Sequence, residues 1–72
     1  MLNIGRLCIK TAGRDAKKMA VVVDILDNNN VLIDGDVRRK KCNIKHLEPL
    51  PYSIDIKKNA NMPAIQKELE KI

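Results

Sequence analysis

The chain of 72 residues has room for one domain, and at this size it buries only about 60% of the surface its unfolded form exposes. Phe and Trp are absent and Tyr52 is the sole aromatic, so the core must be built from Val, Ile, Leu, Met and the two Cys, which suits short strands better than a large ligand cavity. The net charge of +5 points to a polyanionic partner, nucleic acid before anionic membrane, although excess positive charge on a small domain also serves solubility.

The charges fall in blocks. Residues 1–23 carry Arg6, Lys10, Arg14, Lys17 and Lys18 against Asp15, a local +4. Residues 24–36 carry Asp24, Asp27, Asp34 and Asp36 alone, and residues 37–47 return to +5 through Arg38, Arg39, Lys40, Lys41 and Lys45. Cys8 and Cys42 form no CxxC, and His46 is the only histidine, so a four-ligand structural zinc site is not expected. With no secretory signal and no long apolar run, the chain reads as soluble and intracellular, with both cysteines reduced and acting as small apolar side chains.

In chain order, residues 5–11 alternate, with Leu7 and Ile9 on one face and Arg6, Cys8 and Lys10 on the other, the pattern of a strand with one buried face. Gly13 and the polar stretch from Arg14 to Lys18 form a connection. From Met19 a dense apolar run, Ala20 to Val23 and then Ile25 and Leu26, predicts a second strand from its β-branched content. Asp27 to Asn30 is a turn by composition, and Val31 to Ile33 a third strand. Asp34-Gly35 predicts a two-residue hairpin leading to a fourth strand from Val37 to Ile44. Val37 differs in parity from Cys42 and Ile44, which calls for a bulge or loop within residues 38–41 that pushes those four charges outward.

His46 to Pro51 reads as a proline-limited connection, and Ser53 to Lys57 as a short fifth strand. The tail is expected to be helical from Asn61: Met62, Ile65, Leu69 and Ile72 share a face, Pro63 sits in the first turn and Asn61 is a plausible cap. The expected fold is mainly β: a small, strongly bent antiparallel barrel of about five strands over residues 1–58, with an amphipathic helix of the same domain over residues 59–72.

Two basic segments are candidate sites. The Arg14 to Lys18 loop has the length and charge to reach a phosphate backbone, and a solvated turn is its plain alternative. The run Arg38, Arg39, Lys40 and Lys41 is the stronger signal, because four adjacent cations repel one another unless something anionic relieves them. Lys45 and His46 continue the same surface. No P-loop pattern is present, no nucleophile and base fall in a recognisable catalytic motif, and one tyrosine cannot form a base-stacking platform. Recognition of folded RNA by backbone and shape remains open.

The stretch GRLCIKTAGRDAKKMAVVVDILDNNNVLIDG, followed by RRKKCNIKHLEP and IDIKK, resembles the archaeal large-subunit ribosomal protein fourteen-e family, an SH3-like barrel with a KOW motif. The most specific pieces are Gly5-Arg6, Lys10 to Arg14, Val23 to Ile25, Asn43-Ile44 and His46 to Pro49. The resemblance implies a structural, non-catalytic component of the cytoplasmic large ribosomal subunit that contacts ribosomal RNA and neighbouring ribosomal proteins. It implies no cofactor, metal, membrane or small-molecule substrate. The groups it implies as RNA-facing are Lys10, Arg14, Lys17 and Lys18, then Arg38, Arg39, Lys40 and Lys41; Arg6, Lys45 and His46 are candidates from their charge and place in the basic segments. Lys17 stands where KOW motifs usually have a glycine, and the connection between Ile33 and Arg38 is short for the family. A protein-binding KOW or SH3-like module of a transcription or translation factor is the alternative; it would show an exposed apolar groove in place of a cationic face.

Overall fold

The computed structural model describes residues 2–70. Five antiparallel strands form one sheet, β1 (Arg6–Lys10), β2 (Met19–Ile25), β3 (Asn30–Gly35), β4 (Lys40–Asn43) and β5 (Leu47–Ser53). A 3-10 turn at Ile44–His46 links β4 to β5, and helix α1 spans Met62–Leu69. The spatial order is β4-β3-β2-β1-β5, so β4 and β5 are edges and hydrogen bonding leaves the small SH3-like barrel open between them. The expected class, mainly β with a short C-terminal helix, holds.

The apolar run in β2 is dense because β2 is covered on both faces. Ala20 and Val22 pack with Cys8, Val31, Ile33, Val37, Cys42 and Leu47, while Val21 and Val23 pack with Leu7, Ile54 and Ile65. The second set lies beneath α1, whose Ile65 is fully buried with Met62 and Leu69 packed beside it. The helix stripe thus covers its own domain, as most short helices must, since eight residues are too few to hold a helix alone. Asn61 caps it by accepting the Ala64 N–H at 3.2 Å, with Pro63 in the first turn. Ile72, the last residue of the expected stripe, lies outside the described residues.

Val23 is a bulge: Val22 faces Ile33 and Asp24 faces Leu32, so Val23 has no partner across the ladder. Its freed carbonyl accepts the Asn59 N–H at 2.7 Å, and Asp24 receives Asn59 Nδ2 at 3.3 Å and Lys58 Nζ at 3.8 Å. The bulge is therefore where the C-terminal segment hooks onto the sheet.

Four expectations are corrected. In β1 the face assigned as polar is inward: Cys8 is wholly buried and Lys10 is 5% exposed, because this central strand also has a core on each side. No two-residue hairpin forms at Asp34-Gly35; β3 runs through Gly35, which pairs with Ala20, and residues 36–39 make the connection. The parity conflict at Val37 disappears because Val37 sits in that loop, where it is free to turn into the core, and β4 begins only at Lys40. The fifth strand is Leu47–Ser53, not Ser53 to Lys57. Its prolines are tolerated because it is an edge and because it bulges between Pro49, which faces Cys8, and Ser53, which faces Arg6.

The turn after β2 matches its composition. Asp27 Oδ1 accepts Asn29 N at 2.8 Å and Asn30 N at 2.9 Å, and these bonds with the Asn30 side-chain amide hold its carboxyl below the usual carboxylate range. Gly5 is required by a close approach. It has φ of 93°, and a Cβ there would stand 2.1 Å from the Ile54 carbonyl oxygen. Gly5 bonds Val22 through its N–H and Ile54 through its carbonyl, each at 2.8 Å, so it pins the segment before β1 between β2 and the chain leaving β5.

Gly5→Ala is expected to cost about 3 kcal/mol or more, from steric overlap plus backbone strain, and to lower Tm by over roughly 10 °C in a thermal melt followed by circular dichroism. Burial pushes the Cys8 thiol up to about 11 from an ordinary 9.0, against the opposing pull of Arg6. The native thiol thus keeps its proton where the unfolded one loses it, so stability falls as pH rises from 9 to 11. Urea midpoints measured across that window should fall more steeply for the wild type than for Cys8→Ala.

Candidate nucleic-acid interface

The two basic segments become neighbours because they flank the same end of the β2–β3 pair. The connection 11–18 closes on itself: Lys10 N donates to the Lys18 carbonyl at 2.9 Å and Lys17 N to the Lys10 carbonyl at 2.6 Å. Inside it, Ala16 N reaches the Gly13 carbonyl at 3.2 Å and Lys18 N reaches Asp15 at 3.1 Å, a run of tight turns that leaves Arg14, Lys17 and Lys18 exposed. Beneath it Lys10 is buried, its Nζ donating to the Ala12 carbonyl at 2.6 Å.

The connection 36–39 is held from three sides. Asp36 N donates to the Met19 carbonyl at 3.1 Å, Val37 inserts into the core, and Arg39 Nε meets Asp34 Oδ2 at 2.8 Å. Arg38, between an inward Val37 and a paired Arg39, is left facing solvent.

Between the connections lies an open cleft of about 440 Å³, lined by Arg14, Asp15, Lys18, Gly35, Asp36, Val37 and Arg38. Asp15 braces it, 3.9 Å from Lys18 Nζ and 3.4 Å from Lys40 Nζ on β4. The largely buried carboxylate ties the first connection to the second and keeps the cations from spreading apart. On the same side, Thr11 N donates to the His46 carbonyl at 2.8 Å, which sets the exposed Lys45 and His46 beside the first connection.

Other sequence-predicted residues are placed differently. The run 38–41 is not a row of four outward charges: Arg38 is exposed, Arg39 and Lys40 are paired with Asp34 and Asp15, and Lys41 points to the opposite face of β4 from Lys40. Their mutual repulsion is relieved within the domain by two aspartates, Asp34 five positions before Arg39 and Asp15 far from Lys40 in sequence. Arg6 lies at the far end of β1, donating to the Leu50 carbonyl at 3.0 Å and so satisfying the β5 bulge. Lys10 is turned inward. Asp15, Asp34 and Asp36 were missed as parts of the site; an aspartate three positions before Lys18, and another five before Arg39, were the available signals.

No family model matches the chain. Curated relatives do. Large ribosomal subunit protein eL14 of Methanococcus vannielii is 39% identical over 69 residues, covering 96% of this chain and 90% of the relative. The eL14 protein of Methanococcus maripaludis strain C6 is 44% identical over the same coverage, and that of Saccharolobus solfataricus is 43% identical over 74 residues, covering 96% of this chain and 77% of the relative. The chain belongs to the eL14 family. The expected resemblance is thereby confirmed along most of its length.

In this eL14 chain, Lys17 takes φ of 72°, the left-handed region that favours glycine. The connection therefore follows a glycine-type path with a lysine on it. Lys17→Gly should relieve about 1 kcal/mol of backbone strain and raise Tm by roughly 4–8 °C in a thermal melt, while removing a cation from the loop.

Proposed function

We propose that this chain is a structural, non-catalytic constituent of the archaeal large ribosomal subunit in the cytoplasm, and that it binds folded rRNA through its two basic connections. The observation that carries the reading is the convergence of Arg14, Lys18 and Arg38, from segments separated by two strands, on one cleft. Lys17 is exposed on the same connection as Arg14 and Lys18, and Lys40, Lys45 and His46 extend the basic surface along β4 and the 3-10 turn. Arg6 and Lys41 lie away from this cluster and serve as peripheral contacts. A cleft of this kind takes a phosphate backbone from two sides, each cation displacing a counterion, while the sheet keeps the two connections in register. Folded RNA suits it better than a single strand, since Tyr52 alone cannot stack bases.

No reaction is part of this reading: both thiols are buried and His46 sits exposed on a turn. The family names carried by the relatives support the ribosomal assignment. Neighbouring ribosomal proteins are further partners of the same reading. They have an apolar surface available beside Asp27, where Ile25 and Leu26 are about half exposed.

Filter binding of the purified chain to large-subunit rRNA over a salt series tests the proposal. Affinity should fall steeply with salt, and Arg14→Gln, Lys18→Gln and Arg38→Gln should each flatten the log–log slope by roughly 0.7–0.9. Salt-insensitive affinity, or a triple variant that binds like the wild type, would overturn it.

A further inference from the structure

The Arg39 guanidinium is engaged inside the domain. Its Nε donates to Asp34 Oδ2 at 2.8 Å, and its Nη2 donates to the Ala60 carbonyl. The Asp34 side chain is only 7% exposed while that of Arg39 is 34% exposed, so the carboxylate is the shielded end of the pair, and Asp34 without Arg39 would be an uncompensated buried charge. The other oxygen of the same carboxylate, Oδ1, accepts the Gly35 N–H at 2.8 Å. One carboxylate therefore grips residue 35 and residue 39, the two ends of the connection that presents Arg38. Ala60 adds a third anchor, since it packs against the core under α1.

We infer that Arg39 is a positioning residue of the interface and not a phosphate contact: held by Asp34 and the Ala60 carbonyl, it fixes residues 36–39 so that Arg38 faces the cleft. This rests on the RNA-binding reading for its functional consequence, though the fixing of the connection stands on geometry alone. Swinging the guanidinium out to a phosphate would break its bonds to a nearly buried carboxylate and to a carbonyl together, and two of its five N–H donors are already committed to them. Asp34, although acidic, then supports polyanion binding by acting through Arg39.

The charge change gives the two roles opposite signs. Asp34→Asn raises the net charge by one; it would free a phosphate-binding Arg39 and tighten binding, whereas loss of a positioning pair weakens it. With rRNA as probe, at a temperature where circular dichroism shows each variant fully folded, Asp34→Asn and Arg39→Gln should each weaken binding roughly 3- to 10-fold. In an Arg38→Gln background neither should weaken it further, because both act through Arg38. Unchanged or tighter binding by Asp34→Asn, or an additional loss from Arg39→Gln on top of Arg38→Gln, would overturn the inference. A second arm needs no RNA. Amide hydrogen exchange across residues 36–39 should speed up in Arg39→Gln, and unchanged exchange there would sink the positioning role. If the wild type fails to bind rRNA, the proposed function falls, and the exchange arm still decides whether Arg39 fixes the connection.

Discussion

Burial of β2 on both faces is the constraint on which the molecule depends. Ala20, Val21, Val22 and Val23 have no solvent exposure, and each buried valine is worth about 1.5–3 kcal/mol relative to exposure. A strand with two apolar faces divides the core in two, one set inside the sheet and one that needs a cover. The segment from Ile54 to Leu69 is that cover, and the bulge at Val23 supplies the carbonyl that anchors its approach. Because β2 pairs with both β1 and β3, the connections at one end of these strands come together, and the cleft follows from the strand order.

A chain with so little aromatic volume uses its cations as structure as well as surface. Lys10 fills the space under one connection, Arg39 braces the other, and Arg6 satisfies a carbonyl that the β5 bulge would leave bare. Long side chains suit this work, since their stems pack against apolar neighbours while their heads reach backbone oxygens. The positive charge is therefore divided between groups that hold the frame and groups that face outward. The aspartates are divided the same way: Asp27 shapes a turn, Asp24 receives the C-terminal segment, and Asp15 and Asp34 brace the basic connections.

Signals that depend on near neighbours were legible in the sequence. The apolar content of residues 19–26, the Asp27 turn, the Asn61 cap with Pro63 and the stripe Met62, Ile65 and Leu69 each rest on contacts a few residues apart. So did the basic blocks, and the resemblance carried by Gly5-Arg6 and by the stretch from Lys10 to Arg14. Where strand alternation was read literally it failed, because the rule assumes one wet face and β1 and β2 have none. The prolines of β5 were misread for a related reason: whether a strand is an edge depends on the order of strands in space.

The amino-acid sequence by itself determined the class of fold, the family, the positions of most elements and the presence of two cationic segments, since local propensity and charge are properties of the chain. Only the tertiary structure decided which cations are available. Arg38 and Arg39 are adjacent and chemically alike, yet one faces a cleft and the other is clasped by Asp34 and Ala60. That difference arises because Val37 must enter the core and because the C-terminal segment must cover Val21 and Val23, both long-range demands of a small hydrophobic interior.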